Sequence, residues 1–166
     1  FVMPFLGQVE MPNVYTWERG DVKLRVATTN KACLTPSRAF GHFPTRFALE
    51  RSVDMVARKC GLEPAEVRRK NMVPKTAFPY RMANGISYDC GDFAGVMDDA
   101  VKAADWAGFA ARREASARRG KLRGRGISTY IEATGAGFAP SDHVEIRFGR
   151  NGEITLMAAS HNHGQG

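Results

Sequence analysis

The sequence predicts an α+β (mixed α/β) fold: one strand, a helical middle, then a β-hairpin. Three observations carry this. From Asp92, a good helix cap, the apolar residues Phe93, Val96, Met97, Ala100, Val101 and Ala104 keep i, i+3, i+4 spacing. Val144, Ile146 and Phe148 alternate, Asn151-Gly152 turns the chain, and Ile154 and Leu156 alternate back, the pattern of a hairpin. Strands and helices do not alternate regularly, which excludes a repeated βαβ plan.

The remaining elements follow in order. Residues 1–20 hold Pro4, Pro12 and Gly20 and read as an irregular lead-in. Asp21–Thr28 alternates Val22, Leu24 and Val26 with Lys23 and Arg25, which predicts a half-buried strand. Thr29–Gly41 is a loop, and a helix follows with Pro44 in its first turn. Phe47, Leu49, Val53, Val56 and Cys60 make its expected buried face, and Gly61 its stop. Pro64 opens a short helix, with Glu66 in its first turn. Residues 73–91 are loop-like, and a second helical stretch runs from about Asp105 to Gly120. Gly126–Thr134 is a further expected strand. The organisation is a single fragment, 1–166: lead-in to 20, strand, loop and helix over 21–60, helical over 61–120, strands over 121–166.

Composition narrows the classes. Apolar residues are 43% and charged residues 25% of 166, ordinary for a globular chain and unlike a disordered or coiled-coil one. No apolar stretch approaches the ~20 residues of a membrane helix. The opening FVMPFLGQVE has no basic start or cleavage signal and reads as a cut within a longer polypeptide. Cys33, Cys60 and Cys90 are scattered, which fits a reducing compartment better than a disulfide framework.

The charge is +7, from 24 basic and 17 acidic residues. Arg112, Arg113, Arg118, Arg119, Lys121, Arg123 and Arg125 crowd one stretch. A basic binding module for nucleic acid is one reading. A solvated helix end, where cations complement the macrodipole, is the simpler one. His161 and His163 stand two apart, with His143 and His42 elsewhere, a weak metal signal against polar loop histidines. Thr134-Gly135-Ala136-Gly137 and His163-Gly164-Gln165-Gly166 follow expected strands. Such turns either end a strand or let backbone amides approach a planar or anionic ligand. Arg38 lies in a loop just before a helix start, a place that can hold an anion; a plain lead-in with Phe40 in the core is the alternative.

Taken together, the order of short motifs resembles the large subunit of molybdenum hydroxylases, the xanthine dehydrogenase and aldehyde oxidase family. They are Thr29-Asn30-Lys31, Pro36-Ser37-Arg38-Ala39-Phe40-Gly41, Phe47-Ala48-Leu49-Glu50-Arg51 and Gly61-Leu62-Glu63-Pro64 through Asn71. Phe78-Pro79-Tyr80, Tyr88-Asp89-Cys90-Gly91-Asp92-Phe93, Gly124-Arg125-Gly126-Ile127, Tyr130-Ile131-Glu132-Ala133-Thr134-Gly135 and Gly164-Gln165-Gly166 continue it. The resemblance implies a slice of a larger molybdopterin-binding subunit. It implies molybdenum held by molybdopterin, often as the cytosine dinucleotide, and hydroxylation of aldehydes or N-heterocycles with oxygen from water. Iron–sulfur clusters and FAD are expected on partner domains or subunits, with the rest of the large subunit as a further partner. Nucleic acid and a membrane span are not expected, and the compartment is expected to be cytoplasmic, with the periplasm as the alternative, since a partner subunit could carry an export signal.

By the same resemblance Arg38 and Phe40 belong to the substrate site, and Gly164, Gln165 and Gly166 contact the pterin. A glutamine amide offers both donor and acceptor to a pterin edge. Ser37 stands where many members have an aromatic residue and Ala39 where most have glycine. Members that oxidise carbon monoxide carry cysteine at that place, so Ala39 speaks against that branch. The family's upstream Gly-Gly-x-Phe-Gly loop and downstream Gly-x-Gly-Glu, with its catalytic glutamate, have no counterpart in these residues. No catalytic residue and no metal ligand is therefore assigned here, and Glu132 is not a substitute. A structural fragment that only assembles with partner chains remains the other alternative.

Overall fold

The structure is a computed structural model that describes residues 2–9, 11–27, 29–32, 39, 41–132 and 143–158. The chain forms two compact units, residues 1–131 and 132–166.

The first unit is helical. Helix α1 is Val2–Val9, where an irregular lead-in is expected. Pro4 falls in its first turn, where N–H groups have no intrahelical acceptor, so proline does not break it. Helix α2, His42–Cys60, ends at Gly61, whose φ of 65° favours a residue without a side chain. Helix α3, Pro64–Asn71, starts with proline at its first turn, and Glu63 caps it by accepting from Ala65 N–H. Helix α4, Phe93–Ala103, is capped by Asp92, which accepts from Gly95 N–H at 2.9 Å. Helix α5 is Phe109–Ala117. Between α3 and α4, strands β1 (Tyr80–Arg81) and β2 (Ser87–Tyr88) make a small antiparallel pair inside the expected loop.

The core gathers Val14, Tyr15, Leu49, Met72 and Met97, with Val53, Phe93, Ala94, Val101, Ile127 and Ile131 packed around it. Residues 13–16 are stitched to the end of α3 by Val73 N–H to the Val14 carbonyl and Thr16 N–H to the Asn71 carbonyl. Phe93 meets Phe78 and Tyr88 edge to face, and the Tyr88 hydroxyl donates to the Asn13 carbonyl.

Expectations about helix faces and strands are corrected. On α2, Phe47 is 70% exposed and Val56 53%, and Cys60 is exposed. The buried face is instead His42, Arg46, Leu49, Glu50 and Ala57. It carries charge because those charges have partners inside. On α4, Val96 also faces out, and Met97 alone is fully covered. Residues 21–27 and 126–132 are not strands in a sheet. Alternation assigns side-chain faces, but a strand also needs a neighbour for its N–H and C=O groups, and neither segment has one among the described residues.

The second unit contributes the expected hairpin, β3 (Val144–Phe148) and β4 (Ile154–Ala158). Its register pairs Ile146 with Leu156 and Phe148 with Ile154, so the apolar side chains share one face. Asn151-Gly152 lies in the turn, with Gly152 at φ 84°.

Candidate functional site

Of the residues expected at the site, Arg38, Phe40, Gly164, Gln165 and Gly166 lie outside the described residues, as do His161 and His163. The immediate neighbours of Arg38 and Phe40 are described. Ala39 has φ 61° and Gly41 φ 85°, both left-handed, and His42 N–H bonds the Ala39 carbonyl at 3.1 Å. The chain thus turns sharply into α2. A left-handed alanine is strained by roughly 1 kcal/mol relative to glycine. This gives a physical reason for the family's glycine at that place. Helix α1 presses on the turn: Gly7 lies so close that a Cβ there would meet the Gly41 carbonyl oxygen at 2.6 Å. Among the described residues no group of three or more His, Cys, Asp or Glu could hold a metal ion. The chemistry of the Gly-Gln-Gly donor set fits an organic pterin edge, not direct ligation of a metal.

Below this turn, on the same helix, lies a buried charged cluster that sequence reasoning missed. Glu50 is 5% exposed and Arg68 0%. Arg68 Nε donates to Glu50 Oε2 at 2.8 Å, and its Nη1 lies 3.0 Å from Asp54 Oδ1. Nη1 also donates to the Pro64 carbonyl and Nη2 to the Glu50 carbonyl, at 3.2 Å each. Glu50 also accepts from the Tyr15 hydroxyl at 2.7 Å, Asn13 Nδ2 at 3.3 Å and Thr129 N–H at 3.1 Å. Burial pushes the Tyr15 hydroxyl well above the usual phenol range; Thr129 works against this and Glu50 adds to it. Burial works against the Arg68 charge, but the bond and charge of Glu50 outweigh it and hold the guanidinium above its ordinary value. One cluster thus ties residues 13–15, α2, α3 and the extended segment at 129. Arg46 and Glu50 stand four apart on the stripe that carries Leu49 and Val53. That spacing was the available signal.

A second node involves the basic tract. Arg125 lies over the rings of Trp106, at 4.2 Å, and Phe109, at 4.8 Å. It pairs with Glu63 at 2.8 Å and donates to the Trp106 carbonyl, while Trp106 Nε1 donates to the same Glu63 oxygen at 2.9 Å. Arg112 pairs with Asp105 and Arg118 with Glu114. Arg125 therefore packs back on the fold, while the Arg118–Glu114 pair stays on the surface.

Comparison with known proteins defines the class. The molybdopterin cofactor-binding domain family matches twice, over residues 2–72 and 99–166. The chain belongs to the molybdopterin-binding large subunits of the molybdenum hydroxylase family. It is 29% identical over 150 residues to the nicotine 6-hydroxylase large subunit of Paenarthrobacter nicotinovorans, covering 84% of this chain and 18% of that protein. It is 33% identical over 134 residues to the carbon monoxide dehydrogenase large chain of Hydrogenophaga pseudoflava, covering 72% of this chain and 16% of that one. Quinoline 2-oxidoreductase from Pseudomonas putida 86 superposes with a TM-score of 0.76 at 25% identity, over 99% of this chain and 22% of that one. The chain thus spans about a fifth of the length of the relatives it matches. Its mixed helices and small antiparallel pairs are those of a fragment of such a subunit.

Proposed function

We propose that this chain forms one wall of the cofactor and substrate site of a molybdenum-dependent hydroxylase that oxidises an aldehyde or N-heterocycle. The paired family matches over residues 2–72 and 99–166 carry the reading, since together they span both the Arg38 loop and the Gly-Gln-Gly turn. Bound there, the molybdenum cofactor supplies the two-electron oxidation that converts a substrate C–H to C–OH with oxygen from water. This chain's own residues bind and orient. Gln165 offers donor and acceptor to the pterin, and Gly164 and Gly166 allow close approach. Arg38 and Phe40 flank the substrate; their described neighbours Ala39 and Gly41 have left-handed backbone just before α2. Iron–sulfur and flavin groups, on partner domains or subunits, would take up the electrons. The pterin is the cytosine dinucleotide form, and the assembly is cytoplasmic. The packing of Arg125 over Trp106 and Phe109 and its pairing with Glu63 weigh against a nucleic-acid module.

The test uses the complete enzyme. Gln165→Ala lowers molybdenum content per large subunit, measured by elemental analysis. Wild-type content in that variant contradicts the cofactor assignment.

A further inference from the structure

We infer that Arg46 and Glu50 of α2 are positioning residues that clamp residues 127–131 in one register along the helix. The functional part of this rests on the reading of the Arg38–Gly41 loop, at the start of the same helix, as a substrate wall. Arg46 Nη2 donates to the Ile131 carbonyl at 3.1 Å, and Glu50 Oε2 accepts from Thr129 N–H at 3.1 Å. The two anchors are four residues apart on the helix and two apart on the extended chain, in opposite directions. Four helical residues rise about 6.0 Å and two extended residues span roughly 6.6 Å, so the periods match. One step further along, Val53 and Ile127 both pack against the core.

Thr129 is gripped from a second side. Asn13 Nδ2 donates to its carbonyl at 2.6 Å, and its hydroxyl shares a hydrogen bond of 2.8 Å with the Tyr15 hydroxyl. Its N–H, C=O and Oγ1 are therefore all engaged. Among residues 127, 129 and 131, the partly covered positions, only 129 carries a hydroxyl. A slip by two residues would set Ile127 or Ile131 against Glu50 and Tyr15, and a slip by one would turn the inward side chains out. The segment has no ladder partner among the described residues, so the register comes from these side chains. The clamp fixes residues 127–131 relative to α2, the helix that begins at His42. Setting register is the best-attested role of buried polar and ionic groups.

The experiment uses the complete complex and compares Glu50→Gln, Thr129→Val and Val67→Ala with wild type. Glutamine replaces one accepting oxygen with an NH₂ group. Thr129→Val removes only the hydroxyl and spares the fold if Glu50→Gln does not assemble. Val67→Ala lowers the melting temperature from the core without touching the clamp. The readouts are molybdenum content, kcat per molybdenum, substrate KM and amide exchange over residues 127–131. Expected are a fall in kcat per molybdenum of about tenfold for Glu50→Gln and about threefold for Thr129→Val, with faster exchange over 127–131. KM should change by less than about twofold, and Val67→Ala should keep kcat per molybdenum. Wild-type kcat per molybdenum in both clamp variants, or an equal fall in Val67→Ala, overturns the proposal. A wild-type complex without molybdenum instead removes the reading of the loop, and the clamp's functional role falls with it. The two failures are thus told apart on the wild type.

Discussion

Replacing Arg68 by methionine gives the sharpest test of what holds the first unit together. The side chain has no exposed surface, and it gives hydrogen bonds to Glu50 Oε2 at 2.8 Å and to the Pro64 and Glu50 carbonyls. Removing one partner of such a pair costs about 3–5 kcal/mol, because the other charge stays buried without it. Glu50 keeps the Tyr15 hydroxyl at 2.7 Å and Thr129 N–H at 3.1 Å as donors, which places the cost near the lower end, about 3 kcal/mol. For a chain of 166 residues that lowers the melting temperature by roughly 6–12 °C. Substituting Glu50→Gln in the same chain removes the stranded charge. The double variant should therefore be less destabilised than the sum of the two single ones, with a coupling of about 2 kcal/mol. Urea unfolding of wild type, both single variants and the double variant closes the cycle. A cost for Arg68→Met below about 1 kcal/mol, or strict additivity, would refute the account of the cluster as one coupled ionic unit.

Two further outcomes are expected. Gly7→Ala sets a Cβ 2.6 Å from the Gly41 carbonyl oxygen and from Thr45 Oγ1, and should cost about 1–3 kcal/mol by forcing α1 off α2; unchanged stability in thermal unfolding contradicts that packing. Tyr15 ionises near pH ~10 when unfolded and higher when folded, so its contribution is complete below that pH and declines as pH rises through it. Unfolding midpoints should fall between about pH 9 and pH 11 in wild type and less steeply in Tyr15→Phe, and equal slopes contradict the linkage.

The elements that were legible are those whose signals are local. Asp92 before a periodic apolar run fixes the start of α4, Pro64 and Glu63 the start of α3, and Asn151-Gly152 the hairpin turn. The illegible ones depend on distant partners. Helix α1 hid behind Pro4, because only its position in the first turn makes it harmless. The alternation at 21–27 predicted a half-buried strand, but the segment is exposed throughout and has no strand neighbour among the described residues. Strands β1 and β2, two residues each, are too short for any period to register. The buried face of α2 was misread because hydrophobic patterning ranks Phe47 and Val56 above Arg46 and Glu50. The reverse holds once Arg68, Thr129 and Ile131 supply partners. At the site, the roles given to Arg38, Phe40 and Gly164-Gln165-Gly166 rest on family resemblance, and these residues lie outside the described ones. The left-handed backbone at Ala39 supplies a physical reason for the glycine that most members carry there, and none for the alanine.

The hairpin β3–β4 has a practical consequence. Val144, Ile146, Phe148, Ile154 and Leu156 share one exposed face, and among the described residues both outer strand edges are unpaired. A two-stranded ribbon is marginal in water, and open apolar edges template stacking of further copies. Material made from this stretch by itself should therefore gel or precipitate on concentration. A lysine placed at Ile146 or Leu156 would be the first change to make in preparing it for spectroscopy.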